Sequence, residues 1–124
     1  MIPGPSRSPV TVRTEDGAVV CSGCVVARSL WARTRGLLGR AGLEPGEGLL
    51  LVRTGSVHMF FMRFPIDAVF LDRELRIVKI AADLRPWRIA IARGAKSTLE
   101  LRAGTAAAAA LHPGVRLVVG DAEP

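Results

Sequence analysis

The sequence predicts an α+β domain, a curved and mostly antiparallel β-sheet or small barrel carrying two short helices. Two observations carry that prediction. Short apolar stretches, several of them alternating with polar residues, recur along the chain between turn-forming Gly, Pro and Asp, as in β-rich domains. Two stretches depart from this pattern, one with the spacing of a helix face over 30–39 and one an alanine run over 104–111. Separate sheet and helix segments without a repeating β-α alternation belong to the α+β class. The 124 residues suffice for one core, so residues 10–121 are read as a single domain. Residues 1–9 are read as a disordered tail, because three Pro in nine residues suit neither helix nor ladder, and 122–124 as a frayed end.

Val10 to Thr14 forms the first strand, and Asp16-Gly17 turns the chain into a second over Ala18 to Arg28, interrupted at Ser22-Gly23. Ser29 is placed to cap a helix whose buried face would be Leu30, Trp31, Thr34, Leu37 and Leu38, with Gly39 or Gly42 ending it. The loop Leu43 to Gly48 leads into a strand over Leu49 to Arg53. After the Asp72–Leu75 turn, Arg76 to Ala82 alternates as a strand. Arg88 to Arg93 reads as a short strand, and Lys96 to Arg102 turns Leu99 and Leu101 inward with Thr98, Glu100 and Arg102 opposite. Gly104-Thr105 opens the alanine helix, Pro113-Gly114 stops it, and Val115 to Val119 closes the domain.

Val57 to Asp72, V-H-M-F-F-M-R-F-P-I-D-A-V-F-L-D, is the stretch richest in large apolar side chains. It reads as two buried strands meeting at Phe64-Pro65, since Pro gives no N–H to a ladder and belongs at a strand start or bulge. Strand alternation places His58, Phe60, Met62 and Phe64 on one face. Polar groups embedded there need partners, because an unpaired buried one costs about 1–3 kcal/mol. His58, Arg63 and Asp67 are therefore a polar cluster or a site.

The net charge of +6 and pI near 10.9 raise nucleic acid as a partner. The Arg residues are spread along the chain, however, and no signature of a nucleic-acid-binding fold is present, so no specific nucleic-acid binding is expected. No apolar run reaches the roughly 18 residues that span a bilayer, and the start lacks the apolar core of a signal peptide; no membrane partner and a cytoplasmic location are the expectation. Gly36-Leu37-Leu38-Gly39 and Gly46-Glu47-Gly48 lack the Lys-Ser/Thr of a phosphate loop, and no cofactor is expected.

Cys21-Ser22-Gly23-Cys24 has the spacing of a zinc knuckle or a dithiol pair. A second pair is missing, and a redox pair usually opens a helix whereas this one sits in a strand turn, so the reading favours two ordinary small residues. His58 with Asp67 could do acid–base work, although no nucleophile motif accompanies them. Asp67 is instead expected to hold Arg35 or Arg63 in a buried ion pair, and Glu100 another Arg, a set whose guanidinium forks would also suit an anionic ligand. Trp87, beside Pro86 and between Arg85 and Arg88, is the candidate aromatic at a binding mouth.

Arg35 to Arg40 (R-G-L-L-G-R), then G-E-G-L-L-L, H-M-F-F-M-R-F-P-I-D-A-V-F-L-D and L-E-L-R-A-G (Leu99 to Gly104) resemble, in order and spacing over about 11–121, the prokaryotic family called domain of unknown function 192. The resemblance implies a compact β-rich α+β domain without an established activity. Its recurring positions correspond to Arg35, Gly36, Gly39, Met62, Pro65, Asp67, Phe70, Glu100 and Gly104. Cys21 and Cys24 stand outside that pattern, and Leu75 replaces a usual Gly. The leading expectation is a non-enzymatic module for a small molecule or a protein, with a site among Arg35, His58, Phe60, Met62, Arg63, Asp67, Trp87 and Glu100. A small hydrolase-like enzyme using His58 and Asp67, or a metal or redox site at Cys21 and Cys24, are the alternatives. Oligomeric state is left open.

Overall fold

Alternating apolar residues build nine strands among the described residues, which in this computed structural model are 9–28 and 37–121. They are β1 (Val10–Thr14), β2 (Val19–Ala27), β3 (Glu47–Val52), β4 (Ser56–His58), β5 (Ile66–Leu71), β6 (Ile77–Leu84), β7 (Ile89–Ile91), β8 (Ser97–Arg102) and β9 (Leu117–Asp121). Seven form one sheet in the order β6-β5-β8-β3-β2-β1-β9, and β4 pairs with β7 in a separate ribbon. Every neighbour pair is antiparallel except β2–β3, whose parallel pairing requires the crossover through residues 28–46.

The sheet curls into a half-barrel. At one end its two outer strands meet: Arg76 and Arg116 form a bridge, the Ile77 N–H donates to the Val115 carbonyl at 2.8 Å, and the Leu117 N–H to the Leu75 carbonyl at 2.9 Å. The concave interior holds Val12, Val20, Leu50, Val69, Leu71, Leu99, Leu101 and Leu117 with Cys21 and Cys24. A second apolar layer covers the convex side of the middle strands, where Leu49, Leu51, Ile66, Ala68 and Phe70 meet Val57, Met59, Met62, Leu37, Leu43, Ala90 and Ala92. The middle strands β3, β5 and β8 are thus buried on both faces, which accounts for the near-continuous apolar runs L-L-L-V and I-D-A-V-F-L.

One short helix, α1 (Thr105–Ala108), lies among the described residues, and its Ala106 joins the interior core with Leu111 just beyond it. The alanine helix is shorter than expected. Ala110 takes a left-handed conformation (φ 55°), the Leu111 N–H donates to the Ala106 carbonyl, and the Ala110 N–H to Ala107, a Schellman closure that ends the helix before Pro113. The other expected helix falls mainly on residues 29–36, outside the described residues; Leu37–Gly39 form a turn. Among the described residues no helix is long and apolar enough to cross a membrane.

The expected strand over 57–64 is corrected. β4 ends at His58, and the Met62 N–H closes a turn onto the Met59 carbonyl at 3.2 Å. Phe61 sits in the left-handed region (φ 66°), which ends strand alternation. Met59 and Met62 therefore point inward while Phe60 and Phe61 face outward.

Candidate functional site

Among the described residues, most of the exposed large apolar side chains gather on and beside the β4–β7 ribbon. In strand register Ser56 lies opposite Ile91, Val57 opposite Ala90 and His58 opposite Ile89. Alternation turns Val57 and Ala90 down onto the convex core and leaves His58, Ile89 and Ile91 outside. Past the paired residues the Met59 N–H donates to the Arg88 carbonyl at 2.7 Å and the Trp87 N–H to the Met59 carbonyl at 2.8 Å, so the Phe60-Phe61 turn and the Pro86-Trp87 turn stand side by side. Trp87 is also left-handed, with φ 71°.

The rings form a chain. His58 and Phe60 have centroids 5.0 Å apart, Phe60 and Trp87 5.9 Å, and Phe61 and Trp87 4.9 Å, all within the range of aromatic pairing. Phe61 is 72% exposed, Trp87 58% and Ile91 62%. Scattered single apolar residues on a surface are ordinary, whereas contiguous ones mark interaction sites. Arg63, Arg85, Arg88 and Arg93, on the segments that carry this patch, are exposed, and Arg85 pairs with Asp83 at 3.3 Å.

His58 is exposed, against the expectation of a buried imidazole, and its Nδ1 accepts a hydrogen bond from the Phe60 N–H at 3.3 Å. Asp67 is buried as expected, yet its partners are three backbone N–H groups. Oδ1 accepts from Asp83 at 2.9 Å, and Oδ2 accepts from Gly104 at 3.0 Å and Ala106 at 2.9 Å. Neither His58 nor Arg63 is among those partners, and Arg35 lies outside the described residues. Asp67 thus pins the start of α1 and the end of β6 to β5, and the structure does not bring it together with His58 as an acid–base pair. Met62 is buried beneath the aromatic patch and takes no part in its surface.

Glu100 is buried on the convex face, opposite Leu49 of β3 and Ala68 of β5. Among the described residues no arginine forms an ion pair with it, in contrast to the expectation. Burial in this apolar layer pushes its carboxyl up to about 7. The aromatic patch, Asp67 and Glu100 are thus three separate features and not one cluster.

Cys21 and Cys24 lie within β2 rather than at a turn, and both are buried in the interior. Among the described residues no three His, Cys, Asp or Glu side chains converge to hold a metal ion. The residues that sequence reasoning missed are Phe61, Ile89 and Ile91. Phe61 would have been placed inside a strand by alternation, and only its left-handed backbone turns it out.

The model of the family described as an uncharacterized ACR, domain of unknown function 192, matches residues 11–119. The UPF0127 protein of Thermococcus sibiricus (strain DSM 12597 / MM 739) is 34% identical over 88 residues, covering 64% of this chain and 54% of that protein, so this chain spans about half of it. The UPF0127 protein of Pyrococcus abyssi (strain GE5 / Orsay) is 33% identical over 85 residues, 63% of this chain and 67% of that one. A protein of unknown function from Novosphingobium aromaticivorans DSM 12444 has a crystal structure that matches with a TM-score of 0.77 at 28% identity, over 89% of this chain and 83% of that chain.

Proposed function

We propose, from the premise that this chain belongs to the family called domain of unknown function 192, that it is a binding module whose contact surface is the aromatic face of the β4–β7 ribbon. The observation that carries this reading is the backbone of Phe61 and Trp87. Both are bulky residues held at positive φ, a conformation that costs an L-residue about 1–2 kcal/mol, and both spend that strain on pointing an aromatic ring into water. Stability alone gives no reason to keep such residues there. Aromatic side chains with arginine around them are the commonest anchors of protein interfaces.

The partner that fits is a protein segment with apolar anchors flanked by Asp and Glu. Apolar side chains would seat on Phe60, Phe61, Trp87, Ile89 and Ile91, and the acidic flanks would meet Arg63, Arg88 and Arg93. His58 serves as the flat support of the Phe60 ring.

The experiment is an NMR titration of the Trp87 indole N–H with an array of peptides sharing an apolar centre, flanked by Asp/Glu or by Lys/Arg, and with a single-stranded oligonucleotide. The acidic peptides are expected to shift the Trp87 signal in a salt-sensitive manner. The double variant Phe61→Asn/Trp87→Asn, whose new side chains tolerate positive φ, should keep the fold and lose the binding, read from the backbone amide signals of His58, Ile89 and Ile91 in both proteins. A stronger response to the oligonucleotide or to the basic peptides, or no response to any probe, would refute the reading.

A further inference from the structure

We propose that Cys21 and Cys24 are a reversible dithiol–disulfide pair, with Cys21 as the attacking thiol, Cys24 as the resolving thiol and a small-molecule disulfide as the oxidant. The geometry rests on a β-bulge. Val12 of β1 lies opposite Cys21 and Val10 opposite Cys24, so two steps on β1 face three on β2. In a regular strand residues three apart point to opposite faces. The extra residue in this bulge turns both thiols to the same inner face, and Ser22 faces out. There each thiol is near enough to shift the titration of the other.

The surroundings keep room for Cys21 and set the two thiols apart. A Cβ on Gly48 of β3 would lie 2.7 Å from the Cys21 sulfur, so glycine at that position clears the space the thiol occupies. Cys21 Sγ donates to the Gly46 carbonyl at 3.3 Å, which also accepts the Gly23 N–H at 2.8 Å. The neighbouring Cys24 thiol and the Gly23 N–H favour a Cys21 thiolate and hold that thiol below its ordinary range, whereas Cys24 is pushed up by the adjacent Cys21 thiol and by burial. The more acidic thiol supplies the nucleophile.

Both sulfurs are buried, so an oxidant reaches them when the exposed turn at Glu44–Glu47 swings away. That turn is closed by the Glu47 N–H to the Glu44 carbonyl and by the Arg40–Glu47 ion pair. The Cys21 thiol then loses its proton to water and attacks one sulfur of the oxidant, forming a mixed disulfide and releasing one thiolate. Cys24, deprotonated in turn, attacks Cys21 Sγ and expels the second thiolate. The net change is protein dithiol plus disulfide to protein disulfide plus two thiols, with both electrons passing to the oxidant.

The test equilibrates the folded protein with a series of reduced-to-oxidised glutathione ratios, quenches with acid, and reads intact mass and peptide linkage. The expected result is a single transition to a species lighter by two hydrogens, with Cys21 linked to Cys24 and fully recovered by dithiothreitol. Cys24→Ser should accumulate the glutathione adduct on Cys21, and Cys21→Ser should form at least ten-fold less adduct. Failure of the wild-type protein to form the linkage at any ratio while circular dichroism shows it folded would overturn the pair. Equal trapping by the two variants would overturn the assigned roles.

Discussion

Asp67 and Ala106, 39 residues apart in sequence, are joined by a buried hydrogen bond of 2.9 Å from the Ala106 N–H to Oδ2. The same oxygen takes the Gly104 N–H, so a carboxylate from the middle of the sheet satisfies the opening donors of α1, a task that usually falls to the residue just before a helix. Its other oxygen holds Asp83. Removing the carboxylate strands three donors. Each orphaned buried donor costs about 1–3 kcal/mol, and two of these are only partly buried, so Asp67→Ala is expected to cost about 3–5 kcal/mol. Urea midpoints check this, with Asp16→Ala at the exposed first turn as the control that should move little. Equal midpoints would show that Asp67 does not hold the helix to the sheet.

The buried Glu100 makes stability depend on pH. Burial pushes its folded carboxyl up to about 7 from an ordinary 4.5, so between these values the folded state holds a proton that the unfolded state has already released. The contribution of Glu100 is then fully present below about pH 4.5 and is lost as pH rises through about 7, by up to about 3 kcal/mol. Glu100→Gln, which cannot ionise, should remove most of that decline and be the more stable protein at pH 8. The measurement is the denaturation midpoint of both proteins from pH 4.5 to 8; parallel curves would contradict a raised carboxyl.

Ala110 occupies, with φ 55°, the left-handed position after α1 where glycine is favoured. The residue is exposed, so a change there removes little packing. Ala110→Gly should raise stability by about 1 kcal/mol, because the relief of the strained backbone outweighs the added freedom of the unfolded chain. Differential scanning calorimetry would show a melting temperature higher than that of the unaltered protein, and a lower one would mean that the Schellman closure is not under strain.

The strands were largely legible because alternation is a local property. β1 is where V-T-V-R-T places it, and Leu99 and Leu101 face the interior as L-E-L implies. The same alternation correctly sent Glu100 to the other face, but only the ribbon and its neighbours make that face a second core instead of solvent. The site was less legible. M-F-F-M reads as strand because it holds no turn-forming residue, and the left-handed backbone of Phe61 that ends the strand leaves no mark on the sequence. The partners of Asp67 could not be foreseen at all, since every residue except proline carries the same backbone N–H and the group leaves no mark on the sequence. Leu75 is the converse case: the resemblance leads one to expect Gly there, and the residue's left-handed φ of 66° is a conformation that glycine adopts most readily.

The pairing of β1 with β9 sets Val10 across from Asp121, so the chain enters and leaves the domain on adjacent strands about 5 Å apart. A domain whose two ends sit side by side can be spliced into a surface loop of a host protein without prying that loop open. It can also be circularly permuted, its ends joined by a short glycine linker and new ones cut at the exposed Arg93-Gly94 turn.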